Sequence, residues 1–138
     1  MARSLVDTNI LIYSRDLNEA EKRLRAIELI DGLAARGDLV LSVQCLNEFS
    51  AASLRRGVAV SEVETAVARW RDLGEVLGLE GAATTVALGA VARHRLSFWD
   101  ALIWATAREA AVPVVFSEDF QHGRELDGVR FVDPFRKD

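Results

Sequence analysis

Short apolar runs alternate along this chain with longer stretches whose apolar residues recur at helical spacing. Leu5-Val6 is a brief apolar strand ending in a carboxylate, Asp7. Asp7-Thr8-Asn9 then reads as a helix-entry turn, because these side chains cap free backbone N–H groups. From about Glu19 to Arg36, Leu24, Ile27, Ile30 and Leu33 keep helical spacing, and Gly37 closes the helix. Leu39-Val40-Leu41 is a second strand, followed by a helix from about Val43 to Arg56 that Gly57 stops. Ser61-Glu62-Val63-Glu64 has the form of a capping box opening a helix to about Leu73. Val76-Leu77 predicts a short strand and Ala82 to Arg95 a further helix. Ser97-Phe98-Trp99-Asp100 is another capping-box pattern, starting a helix to about Ala110. Pro113 precedes the most strand-like run, Val114-Val115-Phe116; Asp127-Gly128 then turns into a last strand from Val129 to Val132, ended by Asp133-Pro134.

Apolar strands alternating with amphipathic helices predict an α/β fold, a three-layer sandwich around a mainly parallel central sheet. No internal repeat or linker divides the chain, so residues 1–138 are read as one domain. This topology also predicts where a site lies. In open α/β sheets, ligands bind outside the carboxyl ends of the strands. Asp7 and Asp119 lie at or just past such ends. Asp100 lies in the first turn of the helix before the strand that delivers Asp119. Glu48 joins them if its helix, which starts at the same edge, points its first turns inward.

Each of these four acids has a plainer reading. Asp7 can cap a turn, Asp100 is the last residue of a capping box, Glu48 can be solvated, and Asp119, like Glu118, can be a loop acid. Their surroundings argue for more. Asp100 sits in Phe98-Trp99-Asp100-Ala101-Leu102-Ile103-Trp104, and the helical neighbours of Glu48 are Gln44, Cys45, Ala51 and Ala52, so neither has a cation at helical spacing. Carboxylates gathered without cations are what a hard divalent cation such as magnesium requires. A metal held that way can activate water against a phosphodiester.

Composition narrows the alternatives. The single cysteine, Cys45, excludes an internal disulfide and a cysteine-based zinc site. No stretch approaches the length of a membrane span, and the first residues lack a signal peptide's apolar stretch, so a cytoplasmic protein without membrane contact is expected. The net charge of −4 argues against a broad basic nucleic-acid platform. Yet of the 17 cations only Lys22 and Lys137 are lysines; a codon bias toward Arg and Ala is the plainer explanation, and a local arginine patch suited to phosphate is the other. No phosphate-binding loop with its lysine is present, and no G-x-S-x-G elbow. His94 and His122 lack ligand spacing and read as surface or loop residues. Trp99 and Trp104 read as core or subunit-contact residues, with base stacking as the lesser alternative.

Taken in order, Val6-Asp7-Thr8-Asn9, Asn47-Glu48, Phe98-Trp99-Asp100-Ala101, Ser117-Glu118-Asp119-Phe120-Gln121-His122-Gly123 and Asp133-Pro134-Phe135 resemble the PIN-domain ribonucleases, specifically the VapC-type toxins of bacterial toxin–antitoxin pairs. The resemblance covers Leu5 to Phe135. It implies an endoribonuclease dependent on Mg2+ or Mn2+, with Asp7 and Asp100 as the strongest direct ligands and Glu48 and Asp119 completing the acidic cup. Asn9 and Ser117 resemble the polar residues that orient these carboxylates. The resemblance further implies an antitoxin partner that covers the pocket, an RNA substrate and a homodimer. The helices from Glu19 and Ser61 offer Leu24/Ile27/Leu33 and Val63/Val67/Trp70 as faces for such contacts, or as core. Phe120 and Asp133 depart from the family's usual residues, outside the expected metal site. A non-catalytic binding module on the same fold is the alternative; all four acids being present favours catalysis. A phosphate-receiving signalling domain would need a neighbouring acidic pair early in the chain and a lysine in the late strand; Asp7-Thr8-Asn9 and the lysine-free Val114-Val115-Phe116 run count against it.

Overall fold

A computed structural model of the chain describes residues 2–137. Its elements run β1 (Ser4–Val6), α1 (Thr8–Tyr13), α2 (Ala20–Arg36), β2 (Leu39–Ser42), α3 (Val43–Arg55), α4 (Val60–Leu73), β3 (Glu75–Leu77), α5 (Gly81–His94), α6 (Phe98–Glu109), β4 (Val114–Phe116), β5 (Glu125–Leu126) and β6 (Val129–Val132). The sheet order is β3-β2-β1-β4-β6-β5, parallel except for the β5–β6 pair. The expected sandwich with a mainly parallel sheet is therefore the fold.

The apolar runs become strands because they are covered on both faces. Every residue of β1 and β2 is buried, as expected of inner parallel strands. The chain steps from β1 through β2 to β3 in one direction, then returns to β4 on the other side of β1. Right-handed crossovers put α1–α4 on one face and α5–α6 on the other. The packing agrees: α1 touches α2 and α3, α3 touches α4, and α5 lies along α6, which also covers β4 and β6. The reversal of direction falls between β1 and β4, so the crevice of this sheet opens at their carboxyl ends.

Several details differ from the sequence reading. The helix-entry turn at Asp7 leads into a six-residue helix, α1, whose cap is the Asp7 side chain accepting from the Thr8 N–H. That helix is too short for periodicity to reveal. Ser61 is not a cap: α4 starts at Val60 behind Ala59, with no side-chain cap bond, and the Ala59 carbonyl accepts from the N–H groups of Glu62 and Val63. Ser97 is the cap of α6, its hydroxyl accepting from the Asp100 N–H at 3.2 Å. Ahead of the Asp127-Gly128 turn lies the two-residue strand β5. Both turn residues take positive φ, 46° and 84°, as a two-residue hairpin loop requires.

Of the apolar faces offered for contacts, Leu33, Val63 and Trp70 are core, and only Leu24 is well exposed. Trp104 is fully buried, with its indole N–H donating to the Leu126 carbonyl at 3.1 Å. Trp99 is 60% exposed, so it is not a core residue. His94 ends α5 half-buried, its ring edge-on to Trp104, and the exposed His122 accepts from the Asp133 N–H at 3.1 Å. No helix of the described residues is long and apolar enough to cross a membrane.

Candidate active site

Asp7 stands immediately after β1, and its backbone N–H continues the ladder by donating to the Phe116 carbonyl at the end of β4. The side chain is only 3% exposed. Its Oδ1 accepts from the Thr8 N–H at 2.7 Å, and its Oδ2 accepts from the Ser117 hydroxyl at 2.7 Å. Ser117, just past β4, is fully buried and organises the next residues. Its oxygen accepts from the Asp119 N–H at 3.1 Å and from Asn9 Nδ2 at 3.3 Å. The same Asn9 amide donates to Asp119 Oδ2 at 3.1 Å. Asn9 and Ser117 thus touch the carboxylates of both strand ends, one on each side of the topological reversal.

Glu48 lies in α3, which begins directly after β2 with Ser42 as its cap. Its Oε1 accepts from the Thr8 hydroxyl at 3.0 Å and from Gln44 Nε2 at 3.2 Å. Both donors meet the same oxygen, and none of these bonds uses Oε2. Asp100 sits in the first turn of α6. Because α6 runs back against the strand direction before β4, its N-terminus lies at the carboxyl edge of the sheet.

Electrostatics tie the four together. Burial pushes the Asp7 carboxyl up to about 6; the Ser117 hydroxyl and the Thr8 N–H oppose this, and the charges of Asp119 and Asp100 add to it. Asp100 is likewise raised, mainly by burial and further by Asp119 and Glu48, against the Ser97 hydroxyl. Among the described residues no ion pair involves any of the four acids. Asp7 is buried, Glu48 and Asp100 are half-buried and Asp119 is exposed; carboxylates that repel one another there without a cation are an incomplete electrostatic arrangement.

Their chemistry fits a hard divalent ion, and their spacing sets a limit. Among the described residues, no three His, Cys, Asp or Glu side chains lie close enough together to grip one ion at once. Magnesium suits that arrangement, since it is commonly held by one or two carboxylates and keeps several waters. Cys45 is fully buried with Sγ 3.8 Å from Asp7 Oδ1. Burial, then the Asp7 charge, pushes its thiol up to about 12, so it is a neutral packing group.

Some partners escaped the sequence reading. Thr8 and Gln44 hold Glu48; the Gln44 spacing of one helical turn was visible, but an amide attracts less notice than a cation. Glu118 is not a free loop acid. It pairs with Lys22 and accepts from the Tyr13 hydroxyl, and Lys22 also lies over the rings of Tyr13 and Phe135. This cluster pins the segment after β4 to α1 and α2. Phe120, stacked on Phe131 at 4.1 Å, secures its other side.

Comparison with known proteins places the chain in a family. The PIN domain matches residues 4–124. The chain belongs to the PIN-domain family, a nuclease class that generally works with divalent metal ions. No curated protein matches it significantly in sequence. Among solved structures it is similar to a DNA-bound VapBC from Salmonella typhimurium, with a TM-score of 0.71 and 19% identity over 97% of this chain and 99% of that one. It is similar to a toxin–antitoxin complex from Klebsiella pneumoniae, TM-score 0.70, 16% identity, over 97% and 99% of the two chains. It also resembles VapC20 of Mycobacterium tuberculosis, a toxin that cleaves the sarcin–ricin loop, at TM-score 0.65 and 21% identity over 92% and 98%. At these identities the likeness is one of fold.

Proposed function

We propose that this chain is a magnesium- or manganese-dependent endoribonuclease, the toxin of a toxin–antitoxin pair. The observation that carries the reading is the set of uncompensated acids, Asp7, Glu48, Asp100 and Asp119, at the carboxyl edge where the sheet reverses. A divalent cation bound there supplies a more acidic water and positive charge against the scissile phosphate. The protein's own part is positional. Ser117 and the Thr8 N–H hold the two oxygens of Asp7, Asn9 steadies Asp119, and Thr8 with Gln44 turns Glu48 so that Oε2 stays unengaged. Asp7 and Asp100 are the direct ligands in this reading, and Glu48 and Asp119 complete the cup.

The similar solved structures include toxin–antitoxin complexes, which supports an antitoxin whose segment covers this pocket. An arginine from such a segment would compete with metal by bidentate pairing to the carboxylates. A homodimer, a single domain over residues 1–138 and a cytoplasmic setting belong to the same reading. The substrate is a structured cellular RNA, recognised by shape and by a few arginines rather than by a basic platform. Expression of the chain alone should arrest growth, and co-expression of its partner should restore it. Harmless high-level expression of the wild-type chain would count against the toxin, above all if Asp7→Asn behaves identically.

A further inference from the structure

The described residues contain two buried side-chain polar atoms without a hydrogen-bond partner, Arg23 Nε and Gln44 Oε1. The second lies beside the acidic site. Gln44 is 4% exposed, in α3, one helical turn before Glu48. Its Nε2 donates to Glu48 Oε1 at 3.2 Å and to the Trp99 carbonyl at 3.2 Å. A primary amide nitrogen has two hydrogens, and these bonds use both. Turning the amide over would set its oxygen against two acceptors, so the orientation is fixed by its partners. The consequence is a buried carbonyl with no donor, which folded proteins normally avoid.

Folding alone does not explain why glutamine stands there. Glu48 is half-buried and already has the Thr8 hydroxyl. The Trp99 carbonyl belongs to the first turn of α6, where the helix's own N–H groups reach it. An apolar side chain of the same size would fill the space without orphaning an oxygen. The two bonds do achieve one thing. They join α3 to α6, helices from opposite faces of the sheet that meet over its carboxyl edge. One N–H holds the carboxylate of Glu48, and the other holds the backbone turn that carries Asp100.

The geometry points to Gln44 as a positioning residue of the metal site: it sets the separation of Glu48 and Asp100 and keeps Glu48 Oε2 turned out for a cation. This inference rests on the proposed divalent-metal reading. Outer partners of this kind typically govern metal affinity by about 10–100-fold.

Gln44→Met tests it, because methionine is close in volume and lacks both donor and orphan. Binding is read directly by titrating purified protein with manganese and following the free ion by paramagnetic resonance; melting of the metal-free protein is read in parallel. The expected result is a manganese Kd raised by about 10-fold or more, with a metal-free melting temperature equal to or above that of wild type. Cleavage by the variant should recover as manganese is raised. Manganese binding within twofold of wild type by the folded variant would overturn the role of Gln44 while leaving the metal site standing. Wild-type protein that binds no manganese at millimolar concentration would remove the metal site and this inference together. Should Gln44→Met fail to fold, Gln44→Leu, which lacks the same donor, carries the same comparison.

Discussion

Replacing Asp7 with asparagine should make the metal-free protein more stable at neutral pH while removing its activity. Asp7 has its folded pKa raised from 3.8 to about 6, chiefly by burial. As pH rises, the unfolded chain therefore gives up this proton first. The folded state holds more protons between 3.8 and about 6, so stability falls across that window and the loss is complete above it. The rise from 3.8 to about 6 corresponds to about 3 kcal/mol. Asparagine avoids that cost but loses one hydrogen bond. Ser117 Oγ already accepts from Asn9 and from the Asp119 N–H while donating to Asp7 Oδ2. An amide nitrogen in place of Oδ2 would bring a third donor to that oxygen, a loss of about 1–2 kcal/mol. The net gain near pH 7.5 is about 1–2 kcal/mol, or roughly 3–6 °C for a chain of this size. Below about pH 4, where wild-type Asp7 is protonated, the order should reverse, since only the lost bond remains. Thermal melts in chelator from pH 4 to 8 measure this, and the two curves should cross. Saturating magnesium should close the gap at high pH by stabilising wild type through mass action. A variant that melts below wild type at every pH, or a wild type whose stability does not fall between pH 4 and 6, would refute the burial argument.

Three further outcomes follow from the same structure. Trp104→Ala should destabilise by about 3–5 kcal/mol, since the side chain is fully buried, whereas Trp99→Ala, at an exposed position, should change melting little; paired denaturant titrations compare them. Cys45, buried with its thiol pushed up to about 12, should resist alkylation in the native state and react at the rate of unfolding, which a thiol-reagent time course with and without denaturant would show. Lys22→Met should cost no more than about 1 kcal/mol, because the pair with Glu118 is partly exposed, and chemical denaturation would register a larger loss if the cluster with Tyr13 and Phe135 acts as a unit.

Most of the fold was legible because its signals are local. Gly37, Gly57 and Pro113 punctuate the chain, and the apolar runs of β1, β2 and β4 are continuous because inner parallel strands are covered on both faces. What stayed hidden was either too short for a pattern, as with α1 and β5, or set by tertiary contact. Ser61 has the residues of a cap, yet α4 begins before it. Leu24, Leu33, Val63 and Trp70 share helical spacing, but only packing decides that three of them are core. In the site, topology alone assigned three of the acids to one edge: Asp7 and Asp119 follow strands, and Asp100 lies in the first turn of the helix before a strand, whereas Glu48, in the second turn of α3, depended on which way that helix faces. The bonds that hold them could not be assigned that way. Thr8 to Glu48 and Ser117 to Asp7 span 40 and 110 residues of sequence. Only the closed fold brings Gln44 against Trp99.

The four carboxylates are proposed to form a metal-dependent ribonuclease site. The most direct measurement incubates purified protein with total cellular RNA in magnesium or manganese, with and without chelator, beside a folded Asp100→Asn variant, and maps the cut ends. Wild type should give discrete cleavage that chelator stops and excess metal restores, and the variant none. Cleavage that persists in chelator, or equal cleavage by Asp100→Asn with an intact circular dichroism spectrum, would contradict this proposal.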